Sequence, residues 1–208
     1  MIRIPVRPGL AIAGVVFAAG CSSSATTAAA TPSPSAVQAA TPSPTPASSA
    51  AAQETTVPGF VLTSPSFSEG GEIPVKFTCN GDDVSPALHW VGAPAGTQSF
   101  ALIVNDLDAG GFVHWIAYNI AGGTSGDLAE GITEAGPPAQ AMTSFGQNEY
   151  GGPCPPSGAH RYQFTLYALS GQITIAHPAT DSEDAVKAAM NGLILARTKL
   201  TASYTGPS

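Results

Sequence analysis

Fourteen of the 15 aromatic residues lie beyond residue 59. A packed core needs large apolar side chains, so the first 59 residues cannot build one, and the fold has to come from the rest. From Ser22 to Gly59 there are 38 residues, of which 32 are Ala, Ser, Thr or Pro, including Thr31-Pro-Ser-Pro-Ser35 and Thr41-Pro-Ser-Pro-Thr-Pro46. Such a composition buries too little apolar surface to offset chain entropy, and it predicts a disordered tether over residues 22–59. A coil of that length spans about 35 Å, and a polyproline II chain approaches about 120 Å. The Ser, Thr and Pro mixture suits a plain spacer or an O-glycosylated one. Alanine from this stretch inflates the 43% hydrophobic content of the whole chain.

Ahead of the tether stand Arg3, Arg7, an apolar run from Gly9 to Ala19, and then Ala18-Ala19-Gly20-Cys21. Two cations, a short apolar core and small residues predict a secretory signal peptide over residues 1–20. The apolar run has about 11 residues, against roughly 20 for a spanning helix. Small residues directly before a cysteine resemble the lipobox of bacterial lipoproteins, although Ala18 stands where Leu is commoner. The resemblance implies cleavage before Cys21, lipidation of its thiol, and a protein anchored at the extracytoplasmic face of a bacterial cell membrane. Several acyl chains, at about 0.8 kcal/mol per buried methylene, would make that anchoring stable.

Residues 60–208 carry 5 basic and 13 acidic side chains, a net charge of 5 − 13 = −8, and no run of Lys or Arg. Nucleic-acid binding needs a basic footprint, so that class is excluded. Segments rich in Val, Ile, Phe and Tyr at Phe60–Leu62, Ile73–Phe77, Ser99–Val104, Phe112–Ile120 and Arg161–Leu169 are of strand length and bounded by turn residues. Ala101–Val104 is apolar throughout, as a strand buried on both faces would be, while Gln163–Leu169 alternates like a half-exposed one. Near the C-terminus Thr180-Asp-Ser-Glu183 reads as a capping box, followed by Val186, Met190, Leu193 and Ile194 on one helical face, with Arg197 and Lys199 near the helix end. A closing strand is expected from Lys199 to Tyr204. The pattern as a whole predicts an all-β sandwich with a C-terminal helix.

No GxSxG elbow, HExxH helix, Walker loop or GxGxxG is present. Instead, polar residues gather at the ends of apolar strands. Five segments, Thr78-Cys-Asn-Gly-Asp-Asp-Val-Ser-Pro86, Asn105-Asp-Leu-Asp-Ala109, Phe112-Val-His-Trp115, Tyr150-Gly-Gly-Pro-Cys-Pro-Pro156 and His160-Arg-Tyr162, resemble the phosphatidylethanolamine-binding protein family, in its bacterial Raf kinase inhibitor-like branch. They stand in the family's order across most of residues 60–208. The resemblance implies a Greek-key β-sandwich with a small pocket for phosphate-like anions or phospholipid head groups. Carried over, it assigns the ligand site to Asp106, Asp108, His114, Gly152, Pro155, His160 and Tyr162. Leu107 and Gly110 replace prolines of the family's pattern, and because proline fixes φ near −65° a softer loop is expected here.

The chemistry of those residues is coherent on its own terms. Two imidazoles and a phenol can donate to a phosphate-like oxyanion, and Asp106 can accept from the ammonium of an ethanolamine head group. Bland readings stand beside it. Asp106 and Asp108 can be turn chemistry, and His114 beside Trp115 can be a core histidine. Trp90, Trp115 and Phe164 read as core, and His89 and His177 as surface or structural. No metal site is expected, because a calcium loop needs further oxygens at fixed offsets, and no cofactor is implied. With Cys21 lipidated, Cys79 and Cys154 remain as an even pair in an exported domain; this predicts a disulfide, the alternative being two buried thiols. The functional expectation is a non-catalytic, surface-tethered binding protein for a small anionic ligand or head group. Alternatives are an inhibitor of a kinase or peptidase acting through protein contact, and an esterase-type hydrolase using His114 or His160 as base, for which Ser157 is the nearest nucleophile.

Overall fold

The computed structural model describes residues 57–180 and 182–207. The expected signal peptide, Cys21 and the expected tether as far as residue 56 lie outside the described residues. Eight strands form two antiparallel sheets: β1 (Val61–Thr63), β2 (Leu88–Val91), β3 (Ser99–Asp106), β4 (Phe112–Ala121), β5 (Ser125–Leu128), β6 (Ala139–Gln140), β7 (Ala159–Leu169) and β8 (Ile194–Thr205). One sheet has the order β1-β2-β5 and the other β6-β4-β3-β7-β8. Among the described residues one α-helix, α1 (Glu183–Met190), precedes β8. The result is a Greek-key β-sandwich with one C-terminal helix, as the sequence predicts.

Alternation along the central strands explains the layering. Phe100, Leu102 and Val104 of β3 and Phe164 and Leu166 of β7 meet Leu62, Leu88 and Trp90 of the smaller sheet. The intervening residues Ala101, Ile103, Tyr167 and Leu169 turn to the opposite face and pack under Val186 and Met190 of α1. Period-two side chains thus build one core between the sheets and a second between the large sheet and the helix. Deleting a ring as deep as Phe164 would cost about 3–5 kcal/mol.

The double-faced burial of β3 agrees with expectation, but β7 departs from it. Thr165 to Leu169 are all buried, because the helix layer covers the face that alternation had suggested was wet. Ile73–Phe77 is not a strand. Pro74 has no N–H for a ladder, and the amides of Phe77 and Thr78 turn back to the carbonyls of Pro74 and Val75 in a 3-10 turn, Val75–Phe77. The helix is capped at Ser182 without a side-chain hydrogen bond, so Thr180 is not its N-cap. The helix also ends at Met190, and Ile194, Arg197 and Lys199 belong to β8, which starts five residues before the expected closing strand. Strands β2, β5 and β6 had no counterpart among the expected elements.

Candidate ligand-binding site

Strand register assembles the site. Asp106, the last residue of β3, is paired with Phe112 on one side and Tyr162 on the other. On β7, His160 lies two residues before Tyr162 and so on the same face. His114 arrives by a different device. Asn105 pairs with Val113 and Val104 with Trp115, so His114 is an extra residue in the β3–β4 ladder. A bulge of this kind re-aims a side chain. Here it lets His114 and Trp115 follow one another on the inter-sheet side, with Val113 and Ile116 in the second core.

The β3–β4 hairpin loop, residues 107–111, is organised by Asp106. Its buried carboxylate accepts the N–H groups of Asp108 and Ala109 on Oδ1, at 2.8 and 3.1 Å, and meets His160 Nδ1 on Oδ2 at 2.7 Å. Leu107 donates its amide to Arg161 O at 2.9 Å, a bond that a proline at this position could not make. Gly110 has φ +67°, which a proline ring forbids. At the two positions where the family has prolines, the loop is thus held by a hydrogen bond and a positive φ that proline could not provide.

His114 is 4% exposed. Its Nδ1 lies 2.7 Å from the Gly151 carbonyl, and since a carbonyl only accepts, Nδ1 carries the proton and Nε2 is left with its lone pair in the neutral ring. Burial pushes the ring below its ordinary pKa of 6.5, against the opposing pull of the Gly151 carbonyl and of Asp106. His114 is therefore neutral at pH 7, and its free nitrogen accepts. Tyr162, 1% exposed, has a hydroxyl that no acceptor meets in full hydrogen-bond geometry, although the Asp106 carboxylate lies close enough to interact with it. Burial first, and then the neighbouring Asp106 charge, raise its pKa, so it stays a phenol and a donor.

The remaining wall comes from the loop after β6. Cys79 and Cys154 form the expected disulfide, and the Cys79 amide donates to Pro153 O at 3.2 Å. Phe145 packs edge-on against Phe112 and His114, with ring centroids 4.9 and 5.2 Å apart. Gly151 makes room for that ring: a Cβ there would stand 2.5 Å from its carbons. Together Asp106, Ala109, Phe112, His114, Phe145, Cys154, Pro155, Pro156, His160 and Tyr162 enclose a cavity of about 200 Å³.

Five of the seven residues assigned from sequence, Asp106, His114, Pro155, His160 and Tyr162, thus come together around one cavity. Asp108 and Gly152 do not line it. Asp108 turns outward, where Arg161 grips it through Nε, Nη2 and its backbone amide at 3.0, 2.7 and 2.8 Å and lowers its carboxyl to about 2. The Gly152 amide donates to Asp83 Oδ1 at 2.6 Å, behind the wall. Phe112 and Phe145 are the functional candidates that sequence reasoning missed. The available signal was Phe145, a lone large aromatic in the polar run Thr143-Ser-Phe-Gly-Gln147. His89 and His177 are exposed and outside the cavity, and Trp90, Trp115 and Phe164 are core. Among the described residues no group of three or more His, Cys, Asp or Glu is placed to hold a metal ion.

Comparison with known proteins agrees with this geometry. Residues 63–205 match the family described as phosphatidylethanolamine-binding protein. A UPF0098 protein of Aquifex aeolicus is 42% identical over 148 residues, covering 68% of this chain and 85% of the relative. LppC of Mycobacterium tuberculosis, a protein named as a lipoprotein, is 46% identical over 123 residues, covering 57% of this chain and 60% of LppC. Among solved structures, a phosphatidylethanolamine-binding protein homologue from Chlamydia trachomatis superposes with a TM-score of 0.65 at 33% identity, over 72% of this chain and 99% of its own. Escherichia coli YbcL superposes at 0.64 and 30% identity with the same coverage. By sequence, fold and the residues gathered at the end of β3, β4 and β7, the chain belongs to the phosphatidylethanolamine-binding protein family.

Proposed function

We propose that this protein is a membrane-tethered, non-catalytic binding protein that holds a small phosphate-bearing ligand, free or as a phospholipid head group, in the cavity beside Asp106. The observation that carries this reading is the Tyr162 hydroxyl, a buried donor at the cavity wall that no acceptor, the nearby Asp106 included, meets in full hydrogen-bond geometry. Leaving such a group unpaired costs about 1–3 kcal/mol, and a phosphate oxygen would supply the missing acceptor. His160 adds to it in its imidazolium form, in which Asp106 accepts from Nδ1–H and Nε2–H is left to donate to a ligand. No Lys or Arg lines the cavity, so recognition is short-range and affinity modest.

The lining residues favour holding over turnover. None is Ser or Thr, and the Cys154 sulfur is tied in the disulfide. Ser157, the nucleophile that a hydrolase would have called on, is exposed and outside the wall. Tethering is supported by the lipobox-like Ala18-Ala19-Gly20-Cys21 and by the lipoprotein name of the Mycobacterium relative. Cys21→Ser is expected to release the protein from membranes. Titration with phosphoethanolamine, followed by NMR, is expected to shift the His114 and His160 ring signals at millimolar ligand. Rings that do not respond would remove the proposal.

A further inference from the structure

We infer that Asp83, which lies behind the cavity wall, is a positioning residue that fixes the proton of His114 through a single peptide group, the one joining Gly151 to Gly152. This goes beyond the reading above, since it concerns the state of the histidine and not the ligand that it meets.

The chain of atoms is short. Asp83 Oδ1 accepts the Gly152 N–H at 2.6 Å, and the Gly151 carbonyl accepts the His114 Nδ1–H at 2.7 Å. That N–H and that carbonyl belong to one peptide bond. The one cis peptide among the described residues is Pro137-Pro138, so this bond is trans and its N–H and C=O point to opposite sides. Asp83 and His114 therefore meet a planar group from its two ends. A carboxylate on the N–H shifts electron density toward the carbonyl oxygen, and hydrogen bonds linked in this way strengthen one another. Gly151 and Gly152 are buried, where water screens little. Asp83 itself is exposed, so its charge reaches the ring weakly through solvent, and the bonded peptide is the efficient route. The Gly151 amide also donates to His114 O at 3.0 Å, so Gly151 holds both the backbone and the ring of the histidine.

The backbone around the carboxylate is shaped for this contact. Asp83 has φ +55°, a left-handed conformation that few residues besides Gly, Asn and Asp adopt, and strain of this kind gathers at functional sites. A Cβ on Gly152 would stand 2.5 Å from Asp83 Oδ1 and from the Phe77 carbonyl, so only glycine lets the amide come this close. That accounts for Gly152, which does not line the cavity. The same two segments are already tied by the Cys79–Cys154 disulfide, by the Cys79 amide on Pro153 O, and by the Tyr150 hydroxyl on Phe77 O at 2.7 Å. Fastening alone therefore does not explain a strained residue that carries a charge. Among the described residues no Lys or Arg forms an ion pair with Asp83.

Other groups face the ring as well. Burial lowers its pKa, while Gly151, Asp106, Gly152 and Asp83 all pull the other way. Asp106 comes from the end of β3 and is engaged by His160, and Tyr162 of β7 lies edge-on to the ring at 5.1 Å. Of the two carboxylates, Asp83 is the one bonded to the peptide that takes the His114 proton.

The test reads the His114 ring by NMR in the full chain without ligand. Asp83→Asn keeps an oxygen acceptor and tolerates the positive φ but carries no charge; Asp83→Gly tolerates the same φ and removes the acceptor. Exchange of the Nδ1 proton with water is expected to quicken about threefold in Asp83→Asn and about tenfold in Asp83→Gly, as a charge-assisted chain becomes neutral and then loses its end. In both variants the ring's pKa is expected to fall further below 6.5. Asp82→Asn removes the same unit of charge from the exposed neighbour and is expected to change neither quantity. Native exchange and native pKa in both Asp83 variants, with only the melting temperature lowered, would make Asp83 a structural tie and overturn the inference. An Asp82→Asn shift as large as that of Asp83→Asn would overturn it too, since bulk charge would then suffice. With no ligand in the sample, the result is separate from the binding reading, which the phosphoethanolamine titration decides.

Discussion

Two recesses on this domain differ in a way that separates a hollow from a site. A groove of about 620 Å³ runs beside β1, lined by residues 61–69 with Lys199 and Leu200. Three of its polar side chains are already committed: Thr63 Oγ1 to His89 O, Ser64 Oγ to Ala87 O, and Glu69 Oε2 to the Thr201 amide. The cavity beside Asp106 has about a third of that volume. It contains a buried hydroxyl that no acceptor meets in full hydrogen-bond geometry, a neutral histidine with its Nδ1–H on a carbonyl, and a second histidine fixed by a carboxylate. Volume reports only that chains failed to fill space. Buried polar groups left unpaired report what is meant to fill it.

The largest effect expected to sharpen this contrast comes from the disulfide, which reaches the cavity wall and not the groove. Replacing Cys79 and Cys154 by Ser removes a crosslink across a separation of 75 residues, and chain entropy assigns that a loss of roughly 4 kcal/mol. The midpoint of urea unfolding should fall accordingly. Hydrogen exchange should quicken in residues 150–158 more than in residues 61–69, and equal quickening in both would erase the distinction.

A smaller effect of opposite sign is expected from Tyr162→Phe. Ligand affinity should drop about tenfold, the value of a hydrogen bond to a charged oxygen. Thermal stability should hold or rise, because an unsatisfied buried hydroxyl is removed. Thr63→Val in the groove should leave ligand affinity as it was. A Tyr162→Phe protein that melts earlier would mean that the hydroxyl already has a partner inside the protein.

The smallest effect is on pH dependence. Burial lowers the His114 pKa below 6.5 in the folded state, so the unfolded chain binds the proton more readily. Its contribution is whole above pH 6.5 and is lost as pH falls through the folded value. Between pH 7 and 5 the melting temperature of the native protein should therefore fall further than that of His114→Gln. Parallel curves would contradict a neutral, buried ring. Asp108, exposed and held at about 2 by Arg161, acts only in a lower window, between its ordinary 3.8 and 2.

Much of the fold was legible in the sequence, for reasons that particular strands make clear. β3, β4 and β7 announce themselves because most of their length is apolar and rich in Val, Ile, Phe, Tyr and Leu, between turn residues. β5, Ser125-Gly-Asp-Leu128, turns only Leu128 into the core and exists because β2 pairs with it; β6 is two residues long for a similar reason. The wet face expected of β7 was misread because a strand cannot reveal that a helix will cover it. Of the candidate site, the resemblance and the strand-end positions supplied Asp106, His114, Pro155, His160 and Tyr162. They could not separate Asp106 from Asp108, which differ only in the turn of a loop, nor show the bulge that aims His114. Phe145 stood out only as a lone aromatic in a polar run, and its packing into the space left by Gly151 is not written in the sequence.

The most direct test of the account is a crystal structure of the protein grown with phosphoethanolamine. The account predicts the phosphate within about 3 Å of the Tyr162 hydroxyl and His160 Nε2. Phosphoethanolamine seated in the groove beside β1, or absent from a cavity whose Tyr162 hydroxyl is bonded within the protein, would contradict it.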